Sequence, residues 1–295
     1  MRKSMVTAAL LALLLADMLL VVLAVRHARG DATQSNSRAG VTAVDEGRTE
    51  PASPGLKPIA DAARPEEWRV AMADDGTTIV GRASDCASEG RTSVQVSAAP
   101  ASGDAAGSLE SAEVLLVGAG SADEIHVVTA DADCDVRSYT SADLGKSWQV
   151  GAPAGTWYRD PENADVVQAP GGPSRPGCSA SEVHPIDARL ARVTCADGLI
   201  VGTADGGEQW IRLGELRGAH ATVFTTPSNA VALAPVSGCG AQALLTRDGG
   251  RTWDAGGCIA SDGIEGIASN GATLLARVGG ELYTSADNAE SWTQP

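Results

Sequence analysis

The sequence predicts an all-β fold: a β-propeller of five four-stranded blades, placed after an N-terminal transmembrane helix and a disordered linker. Three observations predict it. An eight-residue pattern ending in Trp occurs four times, with Trp-to-Trp spacings of 62, 43 and 39 residues. The last two spacings match the roughly 40–50 residues of a four-stranded blade. Short apolar runs bounded by turn residues precede each copy, as strands do.

The first element is apolar. Met5 to Val25 is 21 residues long and follows Arg2 and Lys3. A helix of that length spans roughly 30 Å, the thickness of the bilayer hydrocarbon. A signal-peptide core is usually shorter, about 7–15 residues, so the length favours a retained anchor over residues 1–29. Cleavage at Val22-Leu23-Ala24 is the rival reading. Asp17 lies inside the run. An acid near the centre of a spanning helix costs on the order of 2.5–3.5 kcal/mol. It either meets a partner helix or, more plainly, is protonated or turned toward water. Residues 30–65 hold Pro51, Pro54, Pro58 and Pro65 among small polar residues, so they read as a disordered linker. Trp68 opens the folded region, 66–295.

Charge narrows the function classes. The chain has 37 acidic and 22 basic residues, a formal net charge of −15, and Lys only at positions 3, 57 and 146. Neutralising phosphates needs clustered Lys and Arg, so this balance argues against nucleic acid as a partner.

The repeated octads are Ser141-Ala-Asp143-Leu-Gly145-Lys-Ser147-Trp148, Thr203-Ala-Asp205-Gly-Gly207-Glu-Gln209-Trp210, Thr246-Arg-Asp248-Gly-Gly250-Arg-Thr252-Trp253 and Ser285-Ala-Asp287-Asn-Ala289-Glu-Ser291-Trp292. Asp accepts hydrogen bonds from backbone N–H groups in a tight turn. Gly supplies the positive φ, Ser or Thr satisfies further turn groups, and Trp starts the next strand with a large buried face. The pattern resembles the Asp-box, or bacterial neuraminidase repeat, of sialidase-like propellers, sortilin-type receptors and photosystem-assembly-factor-like proteins. The departures are Gln209 in place of Ser or Thr and Ala289 in place of Gly. The resemblance implies that each box joins the third and fourth strands of a blade and is structural. It also implies what a sialidase would need: three arginines on the substrate carboxylate, a Tyr–Glu nucleophile pair and an acidic Asp. The usual Arg-Ile-Pro marker is absent, and Tyr139 and Tyr283 fall on third strands beside their boxes. The expectation is a non-catalytic member.

Strands follow from the boxes. The first unit reads 68–73, 77–83 and 92–98, with a degraded box near Ser97. The second reads 113–118, 124–130, 135–141 and 146–151, and the third 182–188, 189–195, 198–203 and 209–213. The fourth reads 219–226, 229–236, 241–247 and 251–255, and the fifth 264–269, 273–278, 281–285 and 291–294. A sixth blade would need one more hairpin between Pro100 and Glu113.

The six cysteines fit this register. Cys86, Cys134, Cys195 and Cys239 fall in turns between second and third strands, and Cys178 and Cys258 in blade-to-blade connections. Both kinds of connection emerge on one face, opposite the boxes. The register pairs Cys239 with Cys258 and Cys178 with Cys195, leaving Cys86 for Cys134 by exclusion. A metal site would need short ligand spacings such as Cys-x-x-Cys, and none occurs. Disulfides imply an oxidising compartment. With the anchor, they place the N-terminus in the cytoplasm and the propeller outside, on a single-pass cell-membrane protein.

The long connection from Gly151 to Ser181 offers Trp157, Tyr158, Arg159, Asp160 and Arg175 as binding candidates, since Trp, Tyr and Arg are common interface anchors. Trp157 and Tyr158 plugging the space between blades is the equal alternative. The acids at Asp131, Asp133 and Asp135 alternate like a calcium loop, but lack its Gly and bidentate Glu, so a solvated turn is preferred. No cofactor is expected. The expected function is binding of a protein or glycan at the cell surface without catalysis. The alternatives are a glycoside hydrolase or lyase using channel carboxylates, and an assembly factor for a membrane complex.

Overall fold

The computed structural model describes residues 58, 67–87, 91–98 and 105–295. The anchor expected over 1–29 and nearly all of the linker expected over 30–65 lie outside the described residues. The chain folds as an all-β propeller of six sheets, not five. Blade 1 is β1 (Glu67–Met72), β2 (Thr78–Ala83), β3 (Thr92–Ser97) and β4 (Gly107–Ser111). Blade 2 is β5 (Glu113–Ser121), β6 (Glu124–Ala130), β7 (Val136–Ser141) and β8 (Gln149–Gly151). Blade 3 is β9 (Tyr158–Arg159), β10 (Val167–Ala169) and β11 (Gly172–Ser174). Blade 4 is β12 (Ala180–Pro185), β13 (Ala191–Cys195), β14 (Leu199–Thr203) and β15 (Ile211–Glu215). Blade 5 is β16 (Ala221–Phe224), β17 (Ala230–Val236), β18 (Cys239–Thr246) and β19 (Asp254–Ile259). Blade 6 is β20 (Ile264–Ser269), β21 (Leu274–Val278) and β22 (Glu281–Ser285), and only a bridge from Thr284 to Thr293 follows.

The extra sheet sits where the sequence predicts a loop. Its strands are two or three residues long and carry no Trp-ended turn, so neither alternation nor the octad marks them. Within the stretch from Pro100 to Glu113, the described part, from residue 105 on, forms β4, which completes blade 1. Blade 3 also differs in direction. Trp157, just before β9, reaches the carbonyl of Asp187 beyond the far end of β12, whereas Arg159 pairs with Glu113 at the start of β5. So β9 runs against its neighbours β5 and β12, and five parallel strands, β1, β5, β12, β16 and β20, are left to wall the centre.

The octad turns are closed networks. In each, the first-position hydroxyl donates to the Asp Oδ1, at 2.9 Å (Ser141), 2.8 Å (Thr203, Thr246) and 2.7 Å (Ser285). The same hydroxyl accepts the N–H of Gly145, Gly207, Gly250 or Ala289. Asp143, Asp248 and Asp287 also accept from the hydroxyls of Ser147, Thr252 and Ser291. Gln209 has no hydroxyl to offer Asp205 and leaves that bond out. The fourth and fifth positions are left-handed throughout: Gly206 and Gly207 at φ 84° and 94°, but Leu144 at 61° and Ala289 at 62°. Left-handed backbone is costly for residues with a Cβ.

Each octad also grips the blade before it. A Cβ on Gly107 of β4 would lie 2.2 Å from the Gly145 carbonyl carbon, one on Gly214 of β15 1.8 Å from the Gly250 oxygen, and one on Gly257 of β19 2.5 Å from the Glu290 oxygen. At blade 3 the matching place is Ser174, whose hydroxyl bonds the Gly207 carbonyl and accepts the Trp210 Nε1–H at 2.7 Å. Trp148 donates across the same kind of seam to the Ser108 carbonyl at 3.0 Å. These turns clasp blade 2 to blade 1, blade 4 to blade 3, blade 5 to blade 4 and blade 6 to blade 5.

Disulfides join Cys86 to Cys134 across blades 1 and 2, Cys178 to Cys195 across the entry to blade 4, and Cys239 to Cys258 within blade 5. Cys258 lies on β19 itself rather than in a blade connection. Octads and first-to-second turns share one end of the propeller: the N–H of Leu144 bonds the Ala122 carbonyl, Gly206 bonds Arg189, and Gly249 bonds Ser228. The disulfide-bearing connections therefore occupy the opposite end.

Candidate functional site: the central channel

Five inner strands surround a chamber of about 290 Å³. Among the described residues each is paired along one edge, and the other edge faces the axis, where the Ser181 carbonyl already meets Arg69. Trp68, Met72 and Phe224 give apolar wall, while Arg69, Glu182, His184 and Thr222 give polar wall. Beyond the chamber, toward the octads, Met72, Ala119, Phe224 and Ser269 meet at a second recess. These residues fall at or near the final ends of their strands, so Arg69, Glu182 and Thr222, set further back on theirs, lie nearer the disulfides, while His184 lies near the final end of β12.

Arg69 is the strut of this cluster. Its guanidinium bonds Glu67 at 2.5 Å and reaches from blade 1 across to the Ser181 carbonyl of blade 4, at 3.2 Å. Beside it, Glu182 Oε2 and His184 Nε2 lie 3.8 Å apart, with side chains only 13% and 11% exposed. Burial pushes the Glu182 carboxyl up to about 8, helped by the Glu67 charge and opposed by Arg69 and by hydrogen bonds from Thr222. Burial, with Arg69 adding repulsion, holds the His184 imidazole down to about 3. Both groups are therefore neutral at pH 7. His184 also lies 3.3 Å from the Thr194 hydroxyl and 5.4 Å, centre to centre, from the Phe224 ring. At the rim, Arg277 bonds Glu265 and stacks 4.3 Å above the Trp68 ring.

A pH dependence of stability follows from these two groups. His184 carries a proton below about 6.5 only when unfolded, so it lowers stability as pH falls from 6.5 toward 3. Glu182 keeps its proton when folded but loses it above 4.5 when unfolded, so stability declines as pH rises from 4.5 toward 8. The expected melting temperature of the full chain falls between pH 6.5 and 8. Glu182→Gln removes that decline. A wild-type melting profile flat over this interval contradicts the assignment.

The binding candidates chosen from sequence are placed as follows. Trp157 is 2% exposed, meets Trp210 edge-on at 6.1 Å and donates to the Asp187 carbonyl at 2.9 Å. Tyr158 is half-buried against Cys86, Leu115 and Cys134. Arg159 is ion-paired with the fully buried Glu113, which also accepts the Cys86 N–H at 3.3 Å. Asp160 is occupied by its own loop, accepting from Glu162, Asn163 and Gln168. Arg175 is exposed, three residues before Cys178. The structure does not gather these five into one surface. Asp131 likewise serves its own turn, accepting from the N–H groups of Asp133 and Asp135 at 3.0 and 3.1 Å. Among the described residues no group of three His, Cys, Asp or Glu is arranged to hold a metal ion. The channel residues Arg69, Glu182, His184 and Thr222 were missed in the sequence. The signal available was charge on strands expected to be innermost, at Glu67-Trp-Arg69 and Glu182-Val-His184.

No family model matches the chain. No curated protein matches it either. Among solved structures it is similar to SapL1 lectin in complex with alpha methyl fucoside, at 13% identity and a TM-score of 0.47, covering 81% of this chain and 97% of that one. It is also similar to YCF48 bound to D1 peptide, at 14% identity and a TM-score of 0.33, covering 81% of this chain and 69% of that one. YCF48 from Cyanidioschyzon merolae matches at 12% identity and a TM-score of 0.38, covering 75% of this chain and 95% of that one.

Proposed function

We propose that this protein is a binding propeller of the Asp-box type, held outside the cytoplasm by its N-terminal segment. It engages a protein or glycan through the end where channel mouth and disulfides meet. One observation carries the reading: two disulfides brace connections at that end and the third ties β18 to β19 there, while the other end is given over to interlocking octads. Rigid loops on a scaffold suit recognition. The closed Ser/Thr–Asp networks support the Asp-box reading, and disulfides are at home in an oxidising compartment.

The test is photocrosslinking from the native membrane, with a benzophenone amino acid at position 175 or, on the octad end, at position 146. The expected adduct forms from 175. An adduct from 146 alone, or six cysteines labelled by maleimide before reduction, overturns the reading. One observation favours a second reading, glycoside hydrolysis: Glu182 is a protonated acid beside Glu67, which is ion-paired with Arg69, and paired carboxyls with different roles serve that chemistry. Turnover of nitrophenyl glycosides, lost in Glu182→Gln, would establish it.

A further inference from the structure

We propose that the channel chamber is a subsite for one neutral sugar residue. The inference rests on the binding reading above and names the ligand class for its channel.

Size is the first argument. The chamber holds about 290 Å³, near the lower limit of small-molecule sites, which run from roughly 300 Å³ upward. It suits one ring, not an oligomer. Chemistry is the second argument. The wall is mixed: Arg69, Glu182, His184 and Thr222 line the chamber together with apolar side chains. A carboxyl, an imidazole and a hydroxyl on one wall match an occupant that carries both donors and acceptors. Hydroxyls of a sugar supply both. Its C–H faces match Trp68 and Phe224, which line the same space.

Charge is the third argument, and it selects among sugars. Arg69 is already matched by Glu67 and by the Ser181 carbonyl. An acidic ligand would have to draw Arg69 away from Glu67 and leave that carboxylate behind in a confined space. Glu67 is part-exposed, but Arg69 is not, and drawing it from its partner gives up a charge-assisted hydrogen bond. A neutral ligand leaves the pair intact. Glu182 in its neutral form both donates and accepts, as a hydroxyl partner should, and the Thr222 hydroxyl stands beside it.

The experiment uses the full chain, purified in a detergent without a sugar headgroup. Saturation-transfer NMR and calorimetry measure binding of the methyl glycosides of glucose, galactose, mannose, fucose and N-acetylglucosamine, with glucuronate and sialic acid as acidic probes. The expected result is saturable binding of at least one neutral glycoside. It weakens tenfold or more in Glu182→Leu and in Thr222→Val, and stays within threefold in Glu182→Gln. Circular dichroism checks that each variant keeps its fold. The Thr222→Val change, nearly isosteric, keeps the test alive should Glu182→Leu misfold. Binding of acidic sugars alone, binding indifferent to both changes, or no sugar binding overturns the proposal. A crosslinked partner at position 175 with no sugar bound leaves the broader reading standing while the chamber proposal falls. Loss of both overturns both.

Discussion

Replacing Trp157 by Ala lowers the free energy of unfolding by about 3–5 kcal/mol, measured from denaturant midpoints at constant slope. The indole is 2% exposed and fills the junction of blades 3 and 4 among Val167, Ala169, Ala191, Val193 and Val201. Its removal deletes packing, an edge-on contact with Trp210 and the hydrogen bond that satisfies the Asp187 carbonyl. Trp157→Phe keeps most of the packing and loses the bond, so its cost falls between wild type and Ala. The opposite result, a Trp157→Ala protein of unchanged stability, would mean that the side chain is not the wedge described.

Removing the disulfides has the second large effect. Cys86–Cys134 spans 48 residues, Cys178–Cys195 spans 17 and Cys239–Cys258 spans 19. Loop-closure entropy gives about 4 kcal/mol for the first and about 3 kcal/mol for each of the others. Paired Cys→Ser changes should cost most at Cys86–Cys134 and about equally at the other two in chemical denaturation. The Cys86–Cys134 bond also crosses between blades, and the Cys86 N–H donates to Glu113 of the Glu113–Arg159 pair. If the three double variants melt together with the wild type, the bonds add nothing to stability.

The propeller was legible in the sequence because its turn chemistry is local. Asp143, Asp205, Asp248 and Asp287 each close their turn with groups at most four residues away, so eight letters carry the whole device. The three disulfides were legible for a related reason: strand order alone sends all six thiols to one end. Blade 3 was not legible. Its strands owe their place to Trp157 and Ser174 meeting blade 4, partners 30 to 36 positions distant. The count of five units failed there, because an average of 46 residues per blade absorbed a short sheet without protest. The site was the least legible part. Arg69, Glu182 and Thr222 come from three blades and meet only when the ring closes. Trp157 was read equally as an interface anchor and as a plug between blades, and it is buried; Arg159 is ion-paired with Glu113.

The clasps have a consequence for how the ring is closed. Octad turns lock blades 1 and 2 into one arc and blades 3 to 6 into another. The two seams between these arcs have other fastenings. One is the Arg159–Glu113 pair. The other is the close fit of Gly266 against Val70 and the Trp68 carbonyl, flanked by the Arg277 stack on Trp68. Arg69, from the short arc, is bonded to Ser181 in the long one. The ring is thus closed by two unlike kinds of joint: interlocking turns at four seams, and at the other two an ion pair, a stacked arginine and the packing of Met72 on Ala268 and Leu275.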